Sequence, residues 1–256
     1  MILTVDIGNS NTCFALHTED APAPLFFERV RTDRSKDARF YLRYIEGMFS
    51  LHGISPCVVS GAILSSVVPP VTDAVTEALA FMIPARILRV RHDLDLGFSI
   101  HVDDPSTVGT DILSDVAGAV ASYGSPVVTF DMGTATVCSF TDASPALSGI
   151  LIMAGVRTSL NALSGGTSML PSIALLPTDR VIAKNTQESM RSGILYGTAG
   201  MIDEIAAGIR EETGAVCRTV LTGGLSPFVA PYCRSAVVTD RTLLMRGLWT
   251  IYKRNA

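Results

Sequence analysis

The residues most able to do chemistry stand near the start of the chain, where the short apolar stretch Met1-Ile2-Leu3-Thr4-Val5 runs into Asp6, Ile7, Gly8 and then Asn9-Ser10-Asn11-Thr12. An apolar run of this length reads as a buried strand, and the polar residues after it read as a turn suited to phosphate. Gly8 lets the backbone approach a ligand closely, and the four small hydroxyl and amide residues supply donors to phosphoryl oxygens. Asp6 then stands where a carboxylate can hold a magnesium ion, which favours a few hard oxygens together with substrate phosphates. Plain hairpins also contain Asp-x-Gly, so this stretch alone leaves both readings open.

A second copy shifts the balance. Val128-Thr129-Phe130-Asp131-Met132-Gly133-Thr134-Ala135-Thr136-Val137-Cys138 aligns with Leu3 to Cys13, pairing Thr4 with Thr129, Asp6 with Asp131, Gly8 with Gly133 and Cys13 with Cys138. The offset, 131 − 6 = 125 residues, is close to half the chain of 256. Repetition at that period predicts two similar α/β halves, 1–118 and 119–256, each opening with a strand, an Asp-x-Gly turn and a second strand. Two phosphate-gripping turns facing one another across a cleft is the layout of the sugar kinase, Hsp70 and actin (ribonuclease H-like) superfamily.

The elements that must position these turns can be placed from periodicity. Thr12 to Leu16 and Leu25 to Arg31 read as returning strands, giving an antiparallel start. A helix is predicted over Ala38 to Phe49, a strand over Cys57 to Leu64 that ends at Ser65-Ser66, a helix over Val71 to Met82, and a short strand over Ile87 to Val90. Arg91 to Val108 is a polar excursion. Its His92, Asp93, Asp95, His101, Asp103 and Asp104 lack the spacing of known metal motifs. Asp111 to Ser122 reads as a connecting helix, with Gly118 and its alanines suited to close packing against another helix. In the second half, strands are expected from Val127, over Val137 to Phe140, Gly149 to Met153 and Val216 to Leu221. Helices are expected over Arg157 to Leu163, Gly193 to Glu212 and Arg241 to Tyr252. Alternating strands and helices indicate mixed sheets flanked by helices. The Thr222-Gly223-Gly224 turn is either a tight turn or a passage for the nucleotide's adenosine.

On these residues the chain resembles the type III pantothenate kinase family nearly end to end. The N-terminal turn is present as Asp6 to Thr12. The S-S-V-x-P segment is present as Ser65-Ser66-Val67-Val68-Pro69, and the D-x-G-T-A segment as Asp131 to Ala135. The G-x-D-R segment appears as Gly109-Thr110-Asp111-Ile112, and Ser168-Met169-Leu170-Pro171, Asn185-Thr186 and Ser192-Gly193-Ile194 come after it in order. The resemblance implies ATP-dependent phosphorylation of pantothenate to 4'-phosphopantothenate, the first step of coenzyme A synthesis. It implies ATP, magnesium and a monovalent cation (potassium or ammonium) as cofactors, a homodimer, and a cytoplasmic setting.

By the same resemblance Asp111 is the proton acceptor, a role that its place at a helix start also favours, because the macrodipole stabilises the ionised carboxylate. ATP would be bound by Asp6, Ile7, Gly8, Asn9, Ser10, Asn11, Thr12 and Cys13, and by Gly133 and Thr134. Pantothenate would be bound by Val102, Gly109, Thr110, Asp111, Ile112 and Thr186. Asp6 would hold magnesium and Asp131 potassium.

Three departures fall on the acceptor side. Ile112 replaces an arginine, Val102 replaces a tyrosine, and Ser148-Gly149 and Ala154-Gly155 stand where the family has a glycine-proline-rich strand end. An arginine can grip a carboxylate in bidentate fashion, and losing such a charged contact costs roughly 1.5–3 kcal/mol of binding. Arg157 is a candidate to supply that charge. The alternatives are a catalytically impaired or regulatory relative of the Bvg accessory factor type, and a kinase of another small alcohol.

Composition argues against nucleic acid as the main partner, while nucleotide and magnesium sites need no basic surface. The chain is 48% apolar and 17% charged, with 20 basic and 24 acidic residues, net −4, and no basic run. Five scattered cysteines without a C-x-x-C pair, with Cys13 and Cys138 read as small buried hydrophobes, fit a reducing compartment. No stretch reads as a signal peptide or a membrane span, so no membrane partner is expected.

Overall fold

Strand β1 (Ile2–Ile7) is buried at every position except the half-buried Asp6, because it lies at the centre of a sheet with neighbours on both sides. The computed structural model describes residues 1–256, which form two compact units. The first comprises Met1–Ser99, Asp103–Ser122 and Thr242–Ala256, and the second Ile100–Val102 and Tyr123–Arg241. Residue 118 falls inside a helix of the first unit, and the C-terminal helix returns to that unit.

In the first unit β2 (Asn11–His17) and β3 (Pro24–Arg31) run antiparallel beside β1, while β4 (Gly61–Ser66) and β5 (Arg86–Arg89) run parallel on its other side. The sheet order is β3-β2-β1-β4-β5. Helices α1 (Ala38–Leu51) and α2 (Pro69–Met82) bury Tyr41, Ile45, Phe49, Val71 and Val75 with Leu3, Val5, Ile7, Phe14 and Leu64 in one core. Asp37 caps α1 through the Phe40 amide, and Pro69 and Pro70 open α2 at the positions where a missing N–H costs nothing.

Helix α7 (Leu243–Asn255) packs on β1 and β4. It crosses α3 (Thr110–Tyr123) at two glycines: a Cβ on Gly118 would lie 2.3 Å from the Leu243 carbonyl oxygen, and one on Gly247 1.7 Å from that of Ser114. The close packing expected at Gly118 is therefore present. The strand expected over Cys57 to Leu64 begins later. Ser55 and Pro56 instead set a short 3-10 turn (Pro56–Val58), and the strand starts at Gly61, where the Tyr252 ring leaves no room for a side chain.

The second unit repeats the opening. Strands β7 (Val127–Met132) and β8 (Ala135–Thr141) form an antiparallel pair, and the burial of β7 matches that of β1 residue for residue. With β6 (Ser99–Ile100), β9 (Ala146–Ala154), β10 (Arg218–Thr222) and β11 (Val237–Thr239), the order is β11-β10-β7-β8-β9-β6. Helices α4 (Val156–Gly166), α5 (Thr186–Thr213) and the one-turn α6 (Ser226–Val229) complete it. The core gathers Val128, Phe130, Cys138, Leu195, Ile202 and Leu221.

Two expectations change here. Helix α5 begins at Thr186 rather than Gly193, because Asn185 caps it by accepting the Glu188 amide at 3.0 Å; it ends at Gly214 with φ +70°. The constant offset between the repeats also fails past the turn. Asp6 lies opposite Cys13, but Asp131 lies opposite Val137, so the second turn is one residue shorter and Cys138 is the counterpart of the buried Phe14. Cys13 is half-buried, whereas burial pushes the Cys138 thiol up to about 12 and leaves it inert. No helix is long and apolar enough to cross a membrane.

Candidate active site

In the first unit the chemistry gathers where parallel strands β1 and β4 end, the usual place for ligands in such sheets. Asp6 and Ile7 lie beside Ser65 and Ser66 in register. After β1 the chain turns at Gly8, whose amide donates to the Asn11 carbonyl at 3.0 Å. Asn9, Ser10 and Asn11 are exposed on this turn, and Thr12 is buried. Arg34 donates to Asn9 Oδ1 at 3.3 Å.

Asp111 is brought to the same sheet end by the residue before it. Thr110 opens α3, and its hydroxyl lies 3.1 Å from Ser65 Oγ, accepts the Ser66 amide at 3.0 Å and reaches the Ser66 carbonyl at 3.1 Å. Ser66 Oγ in turn meets Thr72 Oγ1 at 2.5 Å and accepts the Val68 amide at 3.1 Å. The S-S-V-x-P segment is thus the hydroxyl socket into which α3 plugs. Asp111 is half-buried in the first helical turn, and its Oδ1 accepts the Ile112 amide at 2.9 Å. Ile112 is half-buried beside Gly109.

In the second unit Asp131 stands one residue before the end of β7, and Thr222 of β10 is its neighbour in register. The next residue, Gly223, has φ +82°, and a Cβ there would lie 2.5 Å from Asp131 Oδ1. The Thr222-Gly223-Gly224 turn is therefore pressed against the Asp131 carboxylate, which requires glycine on both conformational and steric grounds. The Gly133 amide donates to Ala135 O at 3.0 Å, and Thr158 Oγ1 donates to Thr134 O at 2.6 Å. Gly155 packs against the Gly133 and Thr134 carbonyls, where a Cβ would come within 2.6 Å of both. Gly133 and Thr134 are exposed.

The remaining expected site residues also lie in or beside this unit. Val102 is half-buried next to His101, whose amide donates to Leu147 O at 2.9 Å; Thr186 is the exposed first residue of α5; and Arg157 is exposed on α4. In the polar excursion 91–108, Asp93 and Asp104 are held by neighbours in the chain and Asp95 by the C-terminal helix. Asp93 pairs with Arg91 and Asp95 with Arg254, Asp104 takes the Ser106 amide, and no three His, Cys, Asp or Glu side chains are placed to hold a metal.

Sequence reasoning missed the supporting shell: Thr32, whose hydroxyl donates to the Gly8 carbonyl at 2.7 Å, Thr110 as a socket contact, Thr158, and Gly223 as the neighbour of Asp131. The only signal was that hydroxyl and glycine residues recur just after strands, which is too general to assign partners.

Comparisons with known proteins bear on the family and the fold. The profile of the type III pantothenate kinase family matches residues 2–208. The type III pantothenate kinase of Rubrobacter xylanophilus is 35% identical over 262 aligned positions, covering 100% of this chain and 98% of its own length. That of Bifidobacterium animalis subsp. lactis is 32% identical with 100% of both chains covered. Among solved structures, a Campylobacter jejuni protein described as a Baf family transcriptional activator superposes with TM-score 0.61 at 16% identity, covering 99% of this chain and 98% of that one. A ROK hexokinase from Thermus thermophilus gives TM-score 0.50 at 10% identity over 98% of each. These structural likenesses show the sugar kinase and actin-like fold. The family profile and the full-length relatives show more: this chain belongs to the type III pantothenate kinase family.

Proposed function

We infer that this chain transfers the γ-phosphoryl group of ATP to the primary hydroxyl of pantothenate, giving 4'-phosphopantothenate and ADP for coenzyme A synthesis. Family membership over the full length supports the reaction. The observation that carries the residue roles is the docking of Thr110 on the end of β4, which sets Asp111 at the sheet end where the Asp6 turn lies.

Phosphoryl transfer has a loose transition state, so the protein's tasks are positioning and charge neutralisation. In this reading Asp111 takes the hydroxyl proton while that oxygen bonds to the γ-phosphorus, and the bridging oxygen leaves with ADP. The turn from Gly8 to Thr12, with Ile7 and Cys13 beside it, grips the phosphates, and Gly133 and Thr134 are the further ATP contacts that family membership brings to this reading. The donor set at Asp6 suits magnesium, since one carboxylate plus substrate phosphates and water is its usual environment, and no cluster of acids is needed. When bound, that ion neutralises charge on the phosphates. Asp131, held against Gly223, is the residue for a monovalent cation.

Val102, Gly109, Thr110, Ile112 and Thr186 serve pantothenate. With isoleucine at 112 no bidentate grip on its carboxylate arises at that position, so weaker pantothenate binding than in arginine-bearing relatives is part of the reading. A homodimer and a cytoplasmic setting go with the family.

The test is Asp111→Asn, which keeps size and shape. Pantothenate-stimulated ADP release should fall about 10²–10⁴-fold in kcat, with the affinity for ATP unchanged. Retention of more than about a tenth of the activity removes Asp111 from the base role.

A further inference from the structure

We propose that Thr32 is a positioning residue that holds the first phosphate turn in its anion-accepting shape; this rests on reading that turn as the grip on the ATP phosphates. Thr32 lies just past β3, outside every sequence segment that marks the site, yet it makes three of the bonds that shape the turn. Its hydroxyl donates to the Gly8 carbonyl at 2.7 Å, and its amide donates to the Ser10 carbonyl at 3.1 Å. Its Oγ1 also lies 3.0 Å from Thr12 Oγ1. Gly8 O can only accept, so the single Thr32 hydroxyl proton is committed to it and Thr12 is the donor in the third bond.

Peptide geometry sets the consequence. In a trans peptide the N–H points opposite to the C=O of the same plane. Thr32 draws in the carbonyls of Gly8 and Ser10, which share peptide planes with the amides of Asn9 and Asn11. Both of those N–H groups are therefore turned away from Thr32. Two N–H groups turned to the same side of a turn make a donor surface for an anion. The Gly8 amide closes the turn on Asn11 O, and a Cβ on Gly8 would lie 3.2 Å from that oxygen, so the loop has little freedom to reach the shape another way. Arg34 occupies Asn9 Oδ1, which leaves the donor end of that side chain for a ligand.

A preformed donor set matters because a ligand that must order a loop loses the ordering cost from its affinity. Removing the Thr32 hydroxyl frees the Gly8–Asn9 peptide to rotate. That weakens ATP binding without touching the pantothenate side.

The experiment uses the full chain and the non-hydrolysable analogue AMP-PNP with magnesium, measured by calorimetry, alongside KM for ATP and for pantothenate and thermal melts. Thr32→Val keeps the side-chain shape and the backbone amide. It should weaken AMP-PNP binding and raise KM for ATP about tenfold, with KM for pantothenate within about twofold, and Thr32→Ser should restore most of the loss. A merely structural role would instead lower stability and change both KM values together. If Thr32→Val does not fold, Thr32→Ala decides between the same outcomes.

Asp6→Asn separates the two ideas. If it weakens AMP-PNP binding while the folded Thr32 variants bind like the parent, the turn is the phosphate grip and the Thr32 inference is overturned. If neither change affects binding, the reading of the turn falls and the inference falls with it.

Discussion

The base role proposed for Asp111 requires an aimed carboxylate, and that aim depends on a missing methyl group. A Cβ on Gly109 would lie 2.4 Å from Asp111 Oδ1, the same oxygen that accepts the Ile112 amide. Gly109 does not have a left-handed backbone, so alanine fits its conformation, and what it would displace is the end of a movable side chain rather than the main chain. Gly109→Ala should therefore fold normally, with stability within about 0.5 kcal/mol of the parent. Its kcat should fall about ten- to a hundredfold, because small misplacements of reacting groups are costly. Parallel melting curves and pantothenate-dependent ADP release check this. Unchanged kcat would mean the carboxylate is aimed by something else. This dependence was hidden from the sequence: Gly-Thr-Asp marks a helix start, but only coordinates show which oxygen fills the space that the glycine leaves.

The elements show where sequence periodicity succeeds and where it stops. Strands β1 and β7 were legible because both are apolar runs ending in the same Asp-x-Gly letters, and their burial is identical. The shorter second turn was not, since an ungapped offset cannot register a one-residue deletion; it came out only in the pairing of Asp131 with Val137. Periodicity places the start of α5 too late because its apolar face begins near Gly193, whereas its start is set by the Asn185 cap. Gly118 was read as a contact point, but its partner lay far along the chain in α7. That crossing makes its own prediction. At Gly247 an added methyl meets the Ser114 carbonyl in the backbone of α3, so the helices must separate. Gly247→Ala should cost about 1–3 kcal/mol in urea unfolding despite the better helix propensity of alanine, and activity should drop as α3 carries Thr110 and Asp111 away from the β4 socket. Gly208→Ala is the control. It lies inside α5 with nothing within 4 Å of the added carbon, and it should be neutral or stabilising by up to about 1 kcal/mol.

At the scale of the whole molecule, the chain's two ends are stitched together in the first unit, and a buried histidine records it. The 125-residue repeat made the two similar sheets legible, but no local signal tells a terminal helix which sheet to join. The answer lies in contacts between residues more than 200 apart: Trp249 Nε1 donates to Thr18 O at 2.9 Å, and Met245 Sδ lies 3.3 Å from Thr4 Oγ1. His17 sits in this seam, fully buried, with Nδ1 2.8 Å from Pro22 O and Nε2 3.0 Å from Thr4 Oγ1. The Pro22 carbonyl can only accept, so Nδ1 carries a proton; burial favours the neutral ring, in which Nε2 accepts from a Thr4 hydroxyl that it shares with the Ala15 carbonyl 3.2 Å away. Burial lowers the His17 pKa to about 4 from its usual 6.5, outweighing the opposing bond to Pro22. Because the unfolded chain then binds the proton more readily than the folded one, the neutral ring's contribution is complete above pH 6.5 and is lost as pH falls toward 4. The interval corresponds to about 3 kcal/mol. Carboxylates such as Glu19 and Asp95, whose pKa values are held low by hydrogen bonds, also lose stabilising bonds in acid, so the total slope is not the test. The test is the difference between parent and His17→Asn in urea unfolding at several pH values from 4 to 7. The variant should be less stable than the parent at pH 7 and should approach it at pH 4, because its asparagine has no proton to gain. Parallel curves across that range would show that His17 is not kept neutral by the seam between β1, β2 and α7.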